Sequence, residues 1–130
     1  DTVEKAVKLV LAGARLIGTN PDLTGPSDEG IVPACGALVA PIELATGRRA
    51  YFVGKPNPLM MRHGLRTLGA LREETAIIGD RMDTDVIAGI EAEIETTLVL
   101  SGVTSFEEIG RCSYSPSHVL KGVFEIPDNE

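Results

Sequence analysis

Apolar residues recur along this 130-residue chain at two spacings, one typical of helices and one typical of short strands. Helical spacing predicts helices over residues 2–12, 33–45 and 84–92, another that begins at Pro58, and a single turn at 106–109. Short apolar runs predict strands at residues 15–19, 51–53, 75–78, 96–100 and 118–119. Residues 20–30 are rich in Pro, Gly, Asp and Ser and are expected to form a loop.

The order of these elements indicates an α/β fold. From residue 50 onward strands and helices alternate, which is typical of a Rossmann-like parallel sheet with helices on its faces. Residues 1–49 do not share this regular alternation of strands and helices and are expected to form another unit. The predicted organisation is therefore two units, residues 1–49 and residues 50–130.

Composition narrows the range of partners. The net charge is −7, and aromatic residues make up only 4% of the chain, with no Trp. Both facts argue against nucleic acid as a partner, and the negative charge argues against an anionic membrane surface. There is no apolar run long enough to cross a bilayer and no basic leader. Cys35 and Cys112 lack metal-type spacing and are expected to be free thiols, so a cytoplasmic location is predicted.

Three aspartates follow the apolar run at 75–78, namely Asp80, Asp83 and Asp85. In open α/β sheets, ligands bind at the carboxyl ends of the strands. Two carboxylates about 4 Å apart repel by about 4 kcal/mol at an effective dielectric near 20, and a hard divalent cation such as Mg²⁺ offsets that repulsion. Asp80 is predicted to bind the metal. Asp83 is interpreted as an N-cap or first-turn residue.

Asp85 is expected to help hold the cation or its waters, or to orient Lys55. This lysine follows the apolar run at 51–53 and lies between Gly54 and Pro56, which permit close backbone approach and fix the turn. Carboxylates together with a lysine suit a cation and a phosphate, although a lone lysine in this setting is more often a solvated surface residue. His63 and His118 are interpreted as structural, and the three methionines as packing residues.

Asp83 and Asp85 also have the spacing of a catalytic Asp-x-Asp pair. In such a pair the first carboxylate attacks phosphorus and the second transfers the proton of the leaving group. The first carboxylate must end a buried strand, and residues 79–82 cannot form that strand. The chain therefore offers no convincing nucleophile.

Residues 54–58, followed by residues 79–85, resemble motifs III and IV of the haloacid dehalogenase (HAD) superfamily, and in particular of its NagD-like phosphatases. Residues 13–22 and 33–38 resemble the cap domain of that subfamily, and residues 99–104 resemble its last core segment. The resemblance implies a Mg²⁺-dependent phosphatase that hydrolyses small-molecule phosphate monoesters through an aspartyl-phosphate. It also implies that residues 1–49 are the rear of the cap and residues 50–130 the rear half of the core.

The resemblance implies a role for each matching residue. Asp80 and Asp85 correspond to the acidic metal-site positions, and Lys55 to the lysine that stabilises the nucleophile and the phosphoryl oxygens. The four residues between Asp80 and Asp85 would form a loop beside the bound phosphate, namely Arg81, Met82, Asp83 and Thr84.

Two departures from the family pattern lead to further expectations. The nucleophile-bearing segments of the family precede the region that this chain matches, so the chain is expected to be a carboxyl-terminal fragment that is inactive alone. The strand before Asp80 would then have an unpaired edge. Such an edge can pair with another copy of the chain, so a homo-oligomer is possible. Glu93 stands where the family usually has Gly, at an expected cost of about 1 kcal/mol if the backbone there is left-handed.

Two other hypotheses compete with the phosphatase hypothesis. A non-catalytic binding or dimerisation module derived from such an enzyme fits the same residues. A receiver-like signalling domain fits less well, because its acidic pair would lie on an earlier strand. The sequence does not identify the substrate.

Overall fold

The computed structural model describes residues 2–126, and its helices and strands confirm the predicted α/β class. The α-helices are α1 (Thr2–Leu11), α2 (Cys35–Thr46), α3 (Leu59–Leu68), α4 (Ile87–Ala92) and α5 (Phe106–Ile109). The strands are β1 (Ile17–Gly18), β2 (Thr24–Ser27), β3 (Gly30–Pro33), β4 (Tyr51–Phe52), β5 (Ala76–Gly79), β6 (Glu95–Val99) and β7 (His118–Leu120). Among these residues, no helix combines the length and apolar character needed to cross a bilayer.

The chain divides into two compact units, residues 1–54 and residues 55–130. In the first unit β1 and β4 pair in parallel, with Ile17 beside Tyr51 and Gly18 beside Phe52. The N–H of Gly54 donates to the carbonyl of Thr19 at 2.7 Å, which extends this pairing beyond the strands. The division therefore falls after β4, whereas the sequence interpretation placed it after residue 49. The assignment of the units as cap and core stays a prediction.

The expected loop at 20–30 was wrong, because an antiparallel hairpin of β2 and β3 occupies residues 24–33. Ser27 pairs with Gly30 at its tip, and the Ser27 hydroxyl donates to the Gly30 carbonyl at 3.0 Å. Gly30 has a φ of 117°, a conformation that glycine adopts without steric cost. Both strands are almost wholly exposed, so they carry no alternation of apolar and polar residues. A search for periodicity therefore could not detect them.

The second unit is built on the parallel sheet β5-β6-β7. Its buried core joins Met82 and Val86 to Leu98 of β6, and partly buried residues from the carboxyl-terminal segment pack against it, namely Leu100, Ile109, Cys112 and Tyr114. Strand β5 pairs only with β6 among the described strands, so the expected open edge is present in this part of the chain.

A π-helical turn, Met82–Val86, precedes α4, where the sequence predicted a helix beginning at residue 84. The N–H groups of Asp85 and Val86 both donate to the carbonyl of Arg81, at 3.1 and 3.2 Å. The widened turn begins only three residues after β5 ends, so it returns Asp85 towards the end of that strand.

Glu93 follows the last residue of α4 and has a φ of 58°, so the backbone is left-handed there and the condition for the expected cost is met. Its carboxylate pairs with Arg72, but both side chains are mostly exposed, so the ion pair contributes little to the free energy of unfolding. We expect Glu93→Gly to raise the free energy of unfolding by about 1 kcal/mol, because glycine adopts this conformation without a Cβ clash. Urea denaturation monitored by circular dichroism measures the change.

Glu93→Gln is the matched control, since it removes the charge and keeps the Cβ. We expect it to change stability by less than about 0.5 kcal/mol. Equal stability of the glycine and glutamine variants would contradict the strain at this position.

Candidate active site

The carboxylate of Asp85 lies at the centre of the site. The residue is only 4% exposed. Its Oδ2 accepts hydrogen bonds from the backbone N–H groups of Asp80 and Arg81, both at 3.1 Å, and its Oδ1 accepts one from the ammonium of Lys55. Both carboxylate oxygens are therefore used. A Cβ on Gly79 would lie 2.3 Å from Asp85 Cγ, so the close approach requires glycine there.

Asp80 follows β5 directly and is held from the other side by the loop after β6. Its Oδ2 accepts from the N–H of Val103 at 2.8 Å, and its carbonyl accepts from the N–H of Thr104 at 3.0 Å. A Cβ on Gly102 would lie 2.1 Å from Asp80 Oδ2, so a glycine is needed at that position too. Within residues 2–126, Asp80 Oδ1 has no hydrogen-bond partner. Asp80 is thus fixed in place with one oxygen available to a ligand.

Lys55 is the cation of the site. Its side chain remains 38% exposed while its ammonium contacts the buried carboxylate of Asp85. An ammonium has three donors, and the carboxylate engages one of them. The remaining donors can bind an anion that approaches from solvent. The expectation that Asp85 orients Lys55 is consistent with this contact.

The carboxylate of Asp83 pairs with the guanidinium of Arg81. The guanidinium donates from Nε at 2.9 Å and from Nη2 at 2.7 Å, a bidentate pair. These hydrogen bonds hold the pKa of the Asp83 carboxyl below its ordinary value. Asp83 lies in the first turn of the π-helix, as expected, but the N-cap position belongs to Arg81, so the N-cap alternative was wrong. The pair is exposed and contributes little to stability.

Met82 and Thr84 are buried, at 5% and 7% exposed. The Met82 N–H donates to the Thr104 hydroxyl at 3.3 Å, and the Tyr114 hydroxyl donates to the Met82 carbonyl at 3.2 Å. Burial raises the pKa of Tyr114. The expected packing role of the Met82 side chain is confirmed. The predicted contact of residues 81–84 with substrate stays a prediction.

Among the described residues, no group of three or more His, Cys, Asp and Glu side chains is arranged so that it could hold a metal ion. Asp80 nevertheless presents an oxygen without a partner beside a second carboxylate, and Mg²⁺ is often held by one or two carboxylates plus waters and phosphate oxygens. The residues present therefore fit the ion: Asp80 would be the direct ligand, and Asp85, whose two oxygens already accept hydrogen bonds, would support it.

Sequence reasoning assigned no role in the site to Gly102, Val103 or Thr104. They follow β6, whose register pairs Leu98 with Gly79 at the end of β5. Adjacent parallel strands end at the same edge of a sheet, so the residues after each strand meet there. That rule, applied to residues 100–104, would have identified the loop.

A protein-family model described as HAD-hydrolase-like matches residues 52–126, more than half of the chain. The chain belongs to this family. It is 50% identical over 128 residues to a dihydroxyacetone phosphatase of Corynebacterium glutamicum and 47% identical over 126 residues to the ribonucleotide monophosphatase NagD of Escherichia coli. These alignments cover 98% and 97% of this chain but 46% and 49% of the relatives. The chain thus spans about half the length of the curated relatives that it matches.

Solved structures agree with the family assignment. The structure of NagD from Escherichia coli superposes with a TM-score of 0.89 at 46% identity, covering 96% of this chain and 49% of that one. A 4-nitrophenylphosphatase from Thermotoga maritima superposes with a TM-score of 0.88 at 40% identity, covering 95% and 48%. The resemblance to NagD-like phosphatases is confirmed in both sequence and fold.

Asp85→Ala is expected to lower the free energy of unfolding of the chain by about 2–4 kcal/mol. The change leaves two backbone N–H groups and the Lys55 ammonium without their acceptor. Urea denaturation measures the loss. Asp83→Ala is the control, since it removes an aspartate two residues away whose ion pair is exposed, and should cost less than about 1 kcal/mol. Equal losses would contradict the central position of Asp85.

Proposed function

We propose that the protein is a Mg²⁺-dependent phosphatase that hydrolyses small-molecule phosphate monoesters through an aspartyl-phosphate. The observation that carries the proposal is the cluster in which the buried Asp85 holds both Lys55 and the backbone beside Asp80. Membership in the HAD-hydrolase-like family supports it, as do relatives named dihydroxyacetone phosphatase, ribonucleotide monophosphatase and acid sugar phosphatase. A nucleotide or sugar phosphate is the substrate class we propose.

Each residue of the cluster has a distinct role in this proposal. Asp80 would hold Mg²⁺, which supplies charge neutralisation for the phosphoryl oxygens when bound. Asp85 keeps the ammonium of Lys55 in place and fixes the turn that carries Asp80. Lys55 donates to the phosphoryl oxygens, and it stabilises the transition state more than the ground state because negative charge develops there.

The attacking carboxylate is proposed to come from residues that precede this chain. Asp80 and Asp85 are engaged as described, and Asp83 is paired with Arg81. The curated relatives are about twice as long, which leaves room for such a segment in the whole protein. A cytoplasmic location is part of the proposal and rests on composition alone.

Lys55→Ala in the whole protein is expected to lower kcat by about 100-fold or more, because the developing charge loses a fixed ammonium. Steady-state hydrolysis of 4-nitrophenyl phosphate with Mg²⁺ measures it. Arg62→Ala is a control, since it removes an exposed cation of the same unit that makes no ion pair with a described residue. Turnover of the Lys55 variant within about threefold of the parent would refute the catalytic assignment.

The isolated 130-residue chain is expected to hydrolyse no 4-nitrophenyl phosphate, and hydrolysis is expected to appear when the amino-terminal half is supplied in trans. Turnover by the chain alone that disappears in Asp80→Ala would overturn the proposed origin of the nucleophile.

Mg²⁺ is expected to bind the chain weakly, with a dissociation constant in the millimolar range or higher. An NMR titration should show shifts at Asp80. Shifts confined to Asp83 would overturn the metal assignment.

A further inference from the structure

A groove of about 620 Å³ lies entirely within the first unit, between the carboxyl end of α1 and the residues that lead into β1 and β4. Its lining includes Arg15, Arg48, Arg49, Ile17 and Tyr51. Sites for small molecules commonly have volumes of roughly 300–1,000 Å³. The groove is therefore large enough for an organic ligand. None of Lys55, Asp80 and Asp85 lines it, and all three belong to the other unit.

The groove concentrates positive charge in a protein whose net charge is −7. The first unit has five basic residues (Lys5, Lys8, Arg15, Arg48 and Arg49), and three of them line this groove. Among the described residues no carboxylate lines it. Guanidinium groups gathered without carboxylates repel one another and attract an anion.

The pairing of these arginines supports that conclusion. Within residues 2–126, the guanidinium groups of Arg15 and Arg48 make no hydrogen bond or ion pair. Arg49 has one distant partner, with Nη1 3.8 Å from Glu43 Oε2, and its side chain is 91% exposed. The planar donors of Arg15 and Arg48 are consequently available for bidentate contacts to phosphate oxygens, and Arg49 has only the distant contact with Glu43.

The other part of the lining is apolar. Ile17 and Tyr51 are register partners in the parallel pair of β1 and β4, so they stand side by side on one face. Both side chains are exposed, at 63% and 56%. The ring of Tyr51 offers a surface on which a planar group can stack. Arg15 and Arg49 each lie two residues before one of these side chains, which places charge and apolar surface next to each other.

We propose that this groove is a second binding site, distinct from the residues of the candidate active site, for an organic anion of the nucleoside polyphosphate class. The arginines bind the phosphates, and Ile17 and Tyr51 contact the base. Binding here requires no hydrolysis.

Isothermal titration of the 130-residue chain with ADP and with pyrophosphate tests the proposal. ADP is expected to bind, and the double variant Arg15→Gln, Arg48→Gln should weaken it about 10-fold or more, since hydrogen bonds to charged groups are lost. Tyr51→Leu should weaken ADP about fivefold and leave pyrophosphate unchanged, because only ADP carries a base that stacks. All of these side chains are exposed, and thermal unfolding of each variant verifies its fold.

A matched control variant makes the outcome decisive. Arg62→Gln, Arg66→Gln changes the net charge equally but in the second unit. It should not affect ADP binding. Absence of ADP binding, or equal weakening by both double variants, would overturn the proposal. Equal effects of Tyr51→Leu on ADP and pyrophosphate would overturn the role of the apolar surface. All of these readouts are independent of turnover, so failure of the proposed phosphatase activity would leave them interpretable.

Discussion

The buried carboxylate of Asp85 connects the π-helical turn that carries it to two other parts of the second unit. Asp85 contacts the ammonium of Lys55, thirty residues earlier, and the main chain just after β5. Burying an unpaired carboxylate is costly, so the pocket around it must supply donors. Two backbone N–H groups and one ammonium meet that need, and in doing so they fix the turn and the lysine relative to Asp80.

Steric constraints follow from that contact. Gly79 leaves room for the Asp85 carboxylate, and Gly102 leaves room for the Asp80 carboxylate. The π-helical turn brings Asp85 back towards β5, and its own residues Met82 and Val86 enter the core with Leu98. Packing and site geometry are therefore parts of one arrangement. A change that disturbs the core beneath the turn would also displace the carboxylate above it.

The sequence predicted the elements whose apolar residues form runs or helical repeats. The apolar run at 75–78 and the polar residues after it indicated β5 and Asp80, although Ile78 is 46% exposed in the structure. The exposed hairpin of β2 and β3 carries no such pattern and was missed. The pairing of β4 with β1 also could not be predicted. The two residues of β4 are exposed or half-buried, so their sequence does not indicate to which unit they belong. The π-helical turn depends on contacts with residues distant in the chain, which no local pattern records.

Much of the site is held by the main chain. Asp80 is held through the N–H groups of Val103 and Thr104, and Asp85 through those of Asp80 and Arg81. Every amino acid except proline supplies such a group. The side chain of Val103 is mostly exposed, so its identity is free to change during evolution while the hydrogen bond to Asp80 persists. Related proteins can therefore differ at this position and still hold the carboxylate in the same place.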